Sequence, residues 1–262
     1  MITPIRKKVR STLSYFRGPY IFYGLFLTLM VPGICEALAQ YRDVQYVRLI
    51  AMGAAKEAKS ADELSVVVAL RDHVRRHVSH KDYRSRGRPF LRESAAGTLR
   101  SGKGRCGEAT RAFINMADAL GIRAQRLYLE GRKPHVVAEV RLKDGGRVIV
   151  DSYDEAYIPE LESLDRVMQR PEFSYYSSFN WRRLRLPMPV YKLDLGPLAY
   201  YLENPHAIKA LLWFFLSASC LSIRFFSPPV LNYLRRRKSM RVYRKNPHGS
   251  PTPRPPDCLS QF

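Results

Sequence analysis

Acidic residues are scarce at both ends of this 262-residue chain. Residues 1–17 carry Arg6, Lys7, Lys8, Arg10 and Arg17 and no acid, and residues 224–262 carry nine Lys/Arg against the single Asp257. With a net charge of +21, such ends suit an anionic partner, either nucleic acid or the cytoplasmic face of a membrane. No RNA- or DNA-binding motif accompanies the basic tail, and an apolar run precedes it. Membrane lipids are therefore the expected partner, and nucleic acid is not. Cysteine is sparse as well. Cys35 and Cys220 sit in apolar runs, Cys258 in a Pro-rich tail, and Cys106 among charged residues. The absence of any CxxC pair excludes a zinc ribbon, and the irregular spacing implies no disulfide framework. No internal repeat is visible, which excludes a solenoid.

Two uncharged runs stand against this background. Residues 18–35 (GPYIFYGLFLTLMVPGIC) would reach about 27 Å as a helix, near the thickness of a hydrocarbon core. Pro32-Gly33 is expected to break the run. The A-x-A pattern Ala37-Leu38-Ala39 follows, so a cleaved signal segment ending at Ala39 competes with an uncleaved anchor. Glu36 ahead of that pattern, and the long leading segment, favour the anchor. Residues 210–223 (ALLWFFLSASCLSI) reach only about 21 Å. Lys209 and Arg224 can snorkel outward, however, which makes 207–226 a 20-residue span. Arg235-Arg236-Arg237-Lys238 lies just beyond, as the positive-inside rule expects of a cytoplasmic end. Together the two spans predict cytoplasmic termini and an exported middle.

That middle has readable periods. Apolar residues at 64, 67, 68, 70, 74 and 78 predict a helix over 64–78. Residues 82–104 are polar, with Gly at 87, 97, 102 and 104, and read as loop. Ala109, Ala112, Phe113, Met116, Ala117 and Leu120 predict a helix over 107–120 that closes at Gly121. Residues 124–129, 136–142 and 147–153 read as strands, the last two joined by a turn at Asp144-Gly145-Gly146. Residues 168–205 show no clean period, and the Pro-rich tail is expected to be disordered. His73, His77 and His80 would share one helix face, a spacing that can hold a metal. Their stretch RDHVRRHVSHK is so basic that a divalent cation would be repelled, so a solvated face is expected and no metal or cofactor.

Cys106 falls between the Gly-rich stretch Ser101-Gly102-Lys103-Gly104-Arg105 and a predicted helix start. Unpaired N–H groups and the helix dipole favour a thiolate there, Arg105 adds positive potential, and the glycines would let a substrate backbone approach. His135 opens one strand and Asp151 closes the next, 16 residues later. A hairpin centred on Lys143 would set them side by side. A plain two-residue Asp144-Gly145 turn would instead put Asp151 opposite Ala138, at the wrong parity. A wider loop or a bulge near residues 143–146 is therefore required. Given that geometry, Cys106 is the nucleophile, His135 its base and later acid, and Asp151 the orienter of the imidazole. The Cys106 backbone N–H would contribute to an oxyanion hole.

The run GKGRCGEATRAFINMADALGIRAQRL resembles the nucleophile helix of the transglutaminase-like superfamily, and HVVAEVRL and GGRVIVDSY resemble its histidine and aspartate strands. The likeness covers about 90 residues and holds all three chemical positions in order. Two positions depart from it: Val137 stands where an aromatic is common, and Arg147 where a tryptophan is. The resemblance implies a papain-like α+β fold, a nucleophile helix packed on an antiparallel sheet, with cysteine-based attack on amides of peptides or proteins. It also admits members that have lost catalysis.

The expected organisation is an anchor or signal segment over 1–40, a transglutaminase-like domain over 41–160 and an extension of unknown role over 161–205. A transmembrane helix over 206–227 and a basic tail over 228–262 complete it. The expected function is a membrane-anchored hydrolase or acyl transferase. One competing reading is a catalytically silent module that binds a partner in an envelope assembly. Another is a cytosolic protease whose apolar runs are core helices.

Overall fold

The computed structural model describes residues 5–81, 92–178 and 198–223, with side chains from residue 21 onward. The basic tail and residues 82–91 and 179–197 lie outside the described residues. The chain divides into two compact units, Val31–Trp213 and Met1–Met30 with Phe214–Phe262. In the smaller unit the Ser217 hydroxyl donates to the Phe26 carbonyl at 3.0 Å, joining its two helical segments.

Helix α1, Ile5–Ala55, runs unbroken through Pro32 and Gly33, contrary to the expected break. Proline removes one N–H donor and crowds the turn before it. In a run this apolar the remaining backbone groups have no better partners than each other, so the helix continues. Its last turns belong to the larger unit, where Val47, Ala51 and Ala54 enter the core. Two helical stretches, Ile21–Ala55 and α7 (Pro205–Ile223), are long and apolar enough to cross a membrane. Polar groups join them within the larger unit. His206 Nδ1 lies 2.6 Å from Glu36 Oε2, and Gln40 Nε2 donates to Asn204 Oδ1 at 3.0 Å.

Helix α2, Glu63–His77, starts where Asp62 accepts from the Ser65 N–H and carries Arg75 and Arg76 in its last turn, both favourable to the dipole. Residues 95–101 are not loop but helix α3, Ala95–Ser101. The glycines hid it: Gly97 lies inside the helix, and Gly102 ends it at φ 63°, a conformation a Cβ would resist. Ser94 caps the start, and Ala95, Ala96 and Thr98 are buried, so packing outweighs weak local propensity. Helix α4, Cys106–Ala119, follows, with Gly121 at φ 76° just beyond it.

An antiparallel sheet of order β3-β2-β1-β4 carries these helices. Its strands are β1 (Arg123–Gly131), β2 (His135–Arg141), β3 (Arg147–Val150) and β4 (Phe173–Ser177). Alternation splits the core in two. Ala138, Val140 and Val150 pack with Val67, Leu70 and Val74 of α2 and Ala109, Phe113 and Met116 of α4. Leu127, Leu129, Val137 and Ile149 pack with Ile158, Phe173 and Val167, the last from α5 (Leu164–Met168). Each large apolar side chain so buried contributes roughly 1.5–3 kcal/mol. Helix α6, Leu198–Glu203, closes the larger unit just ahead of α7.

The β2–β3 hairpin pairs Arg141 with Arg147 and Ala138 with Val150, so it is centred on Asp144 rather than Lys143. Its loop is wide. The Leu142 N–H donates to the Gly146 carbonyl, and the Gly145 N–H donates back to the Leu142 carbonyl. Carried one step on, that register sets Asp151 beside Val137, on the same side of the sheet as His135.

Candidate active site

Cys106 is the first residue of α4 and is half-buried. Glu108 fixes the helix start by accepting from the Arg105 N–H at 3.2 Å, which also places a carboxylate in the first turn. Gly104, two residues before Cys106, is required by the chain's own packing. A Cβ on Gly104 would stand 2.8 Å from the Glu108 Cβ and 3.2 Å from Val78 Cγ1. The Gly104 N–H donates to Ser79 at 2.9 Å, and Ser79 donates to Gly102 at 2.9 Å, so this loop is laced to the end of α2.

His135 is the first residue of β2 and only 3% exposed. Its Nε2 lies 2.9 Å from Asp151 Oδ2, and the ring is also hydrogen-bonded to the Cys106 side chain. The structure thus brings Cys106, His135 and Asp151 together. Asp151 is 1% exposed, just past β3, and is saturated with donors. Its Oδ1 accepts from the Tyr153 N–H at 3.1 Å, and its Oδ2 from Tyr157 at 2.9 Å and Ile158 at 3.1 Å. Those backbone donors fold the segment after β3 around the carboxylate. Arg75 of α2 fastens the same segment through the carbonyls of Asp151, Ile158 and Pro159, at 2.9, 3.1 and 3.0 Å.

Burial alone would depress the His135 pKa, since it penalises the imidazolium. Hydrogen bonds to Asp151 and Cys106, and their negative charge, outweigh that and hold it up at about 9. Because the folded value lies above the unfolded one, the imidazolium stabilises the fold in full below about pH 6.5. That contribution is lost as pH rises through 9. Following the ring nitrogens by NMR should give a midpoint near 9. A midpoint at or below about 6.5 would mean burial has won.

Several neighbours carry no signal in the sequence. The Tyr157 and Tyr153 rings lie 4.7 and 5.8 Å from the His135 ring. Burial, with Asp154, Glu155 and Cys106 nearby, pushes the Tyr153 hydroxyl up to about 12, so it remains a donor across the physiological range. Their positions, two and six residues beyond Asp151, become meaningful only once that segment is seen to fold back. A cleft of about 230 Å³ adjoins Cys106 and His135 and is lined in part by arginines. Behind it, Arg126 donates to the Gly107 carbonyl at 3.0 Å and grips Glu203 of α6 with two bonds, at 2.6 and 2.5 Å.

The remaining candidates go elsewhere. His73 and His77 stack on each other at 4.1 Å, while His80 turns to Asp154 at 3.0 Å, so the three do not converge. No cluster suited to a metal ion occurs among the described residues. Glu139 is buried against Gln125, hydrogen-bonded to it, and has a structural place.

Residues 51–152 match the family model of the transglutaminase-like superfamily, a segment that includes α2, α4, β1 to β3 and all three side chains of the constellation. The chain therefore carries a transglutaminase-like domain of mixed helix and antiparallel sheet. Among solved structures it is similar to a candidate cysteine protease from Cytophaga hutchinsonii, with 19% identity, TM-score 0.36 and coverage of 45% of this chain and 40% of that one. A candidate protease from Parabacteroides distasonis has 17% identity, TM-score 0.29 and coverage of 45% and 26%. A TGase has 17% identity, TM-score 0.35 and coverage of 53% and 37%. The chain thus spans well under half the length of each. No curated protein matches the sequence.

Proposed function

We propose that the domain is a membrane-anchored cysteine hydrolase or acyl transferase acting on amide bonds of peptides or proteins. The observation that carries this reading is the His135 ring, buried and bonded on one side to a carboxylate and on the other to a sulfur at a helix N-terminus. In the first step the Cys106 sulfur attacks the amide carbonyl carbon. The carbon–nitrogen bond breaks, and His135 gives its proton to the departing amine, leaving a thioester on Cys106. Water or a second amine, deprotonated by His135, then attacks the thioester and releases the thiol. Asp151 orients the ring and supports its positive charge throughout. The Cys106 N–H at the head of α4 supplies one donor to the tetrahedral oxyanion. The chemistry calls for no cofactor.

The two apolar helices, with cationic residues outside both, favour an anchored protein with cytoplasmic ends and an exported domain. A topology reporter fused after residue 160 should report from the exported side. A cytoplasmic signal would overturn that arrangement.

The chemical reading is tested by alkylation of the full chain in mild detergent. At pH 7 iodoacetamide should modify Cys106 at least about tenfold faster than glutathione, because the sulfur is paired with an imidazolium at a helix terminus. His135→Ala should remove the advantage. A rate no higher than that of glutathione would leave only a silent binding module.

A further inference from the structure

The cleft beside Cys106 has an unbalanced charged lining. Arg92, Arg105, Arg111 and Arg126 stand there against Glu108 and Glu130. Two of the cations are held inside the fold, the Arg111 and Arg126 side chains being 2% and 9% exposed. One carboxylate serves them both. Glu203 takes Arg126 in a two-pronged grip, yet its nearest oxygen is 3.5 Å from Arg111 Nε, which has no hydrogen-bond partner among the described residues. Arg111 Nη1 donates to a neutral acceptor, the Glu93 carbonyl, at 2.8 Å. Burial, followed by the repulsion of Arg126, pushes Arg111 down to about 10. Glu108 is drawn to the helix start, where it accepts from the Arg105 N–H. The Arg105 side chain is exposed at the cleft, one residue before the sulfur.

A recess with surplus guanidinium charge, backed by the head of a helix, gathers anions. The planar fork of arginine matches a carboxylate better than any other common group. We propose that this cleft is a carboxylate-recognition subsite. The acyl substrates of Cys106 then carry an acidic side chain or a terminal carboxylate next to the amide attacked. The proposal rests on Cys106 being the nucleophile. Arg105 is the residue that contacts the carboxylate, while Arg111 and Arg126 supply a fixed field from behind it. Lysine or arginine in the same substrate position is disfavoured by the same charges.

Two alkylating reagents test this without a known substrate. Iodoacetate and iodoacetamide present the same reacting carbon; the sulfur forms a bond to it and iodide leaves with the electron pair. They differ only in carboxylate against carboxamide. The ratio of their rates at Cys106, read by peptide mass spectrometry on the full chain, is compared with the same ratio for glutathione. We expect iodoacetate to be favoured by about tenfold or more. Arg105→Glu should cut that preference by about tenfold, and Arg105→Ala by less. Lys59→Glu, an equal charge change outside the cleft, should leave it within about twofold. This comparison separates the subsite from the pull of the His135 imidazolium, which all variants share. A wild-type ratio like that of glutathione, or one indifferent to Arg105→Glu, overturns the subsite while fast iodoacetamide labelling still supports the nucleophile. If Cys106 reacts with neither reagent, both fall.

Discussion

Asp151→Asn is expected to slow turnover of an activated peptide amide by about 10³–10⁴-fold while leaving the protein folded. The geometry shows why so conservative a change costs so much. Asp151 Oδ2 faces His135 and two backbone N–H groups, so an amide nitrogen at that position would meet three donors. The asparagine must therefore keep its oxygen there and turn its NH₂ toward the Tyr153 N–H, which now points at another donor. The ring stays in place but loses the negative charge that sustains its protonated form, and the His135 pKa falls. Asp151→Ala should add a folding defect, because three backbone N–H groups lose their acceptor, and the buried one, of Ile158, alone costs about 1–3 kcal/mol. Comparison of melting curves separates the two effects. An asparagine variant as active as the parent would remove the carboxylate from the mechanism.

The second large effect concerns stability. Glu203→Ala should destabilise the larger unit by about 3–5 kcal/mol, seen as a lowered melting temperature of the full chain in detergent. Removing this carboxylate strands two buried guanidiniums, Arg126 and Arg111, and frees the hold that Arg126 keeps on the Gly107 carbonyl. Restoring the pair's symmetry by Arg126→Met and Glu203→Leu together should recover only part of the loss. Arg111 would remain buried opposite no charge of its own. A melting temperature unchanged by Glu203→Ala would show that water already compensates these arginines.

Helix α4 was legible because six apolar positions recur on one stripe and a glycine closes it, all signals carried within 15 residues. The order of cysteine, histidine and aspartate was legible through the resemblance of the segments that carry them. The parity demand on the β2–β3 loop could be derived from spacing, but its centre could not, since two neighbouring glycines admit more than one loop. Helix α3 was hidden because it is seven residues long with a glycine inside, and its support is tertiary. Strand β4 reads FSYYS with no apolar alternation, and its pairing depends on β1, where the register shifts between Glu130 and Gly131. The Arg126–Glu203 pair joins residues 77 apart. Ion-pair partners so far separated leave no local pattern, because each looks like an ordinary surface charge until the chain brings them together.

The Leu142–Gly146 loop also constrains how this domain can drift over generations. Gaining or losing one residue there, with the three-residue turn kept so that the register slips by one, would turn Asp151 to the far side of the sheet and away from His135. A change of two would preserve its side and only slide it along the strand. With the turn so kept, length changes in even steps preserve the proposed triad, and odd ones should accompany its loss.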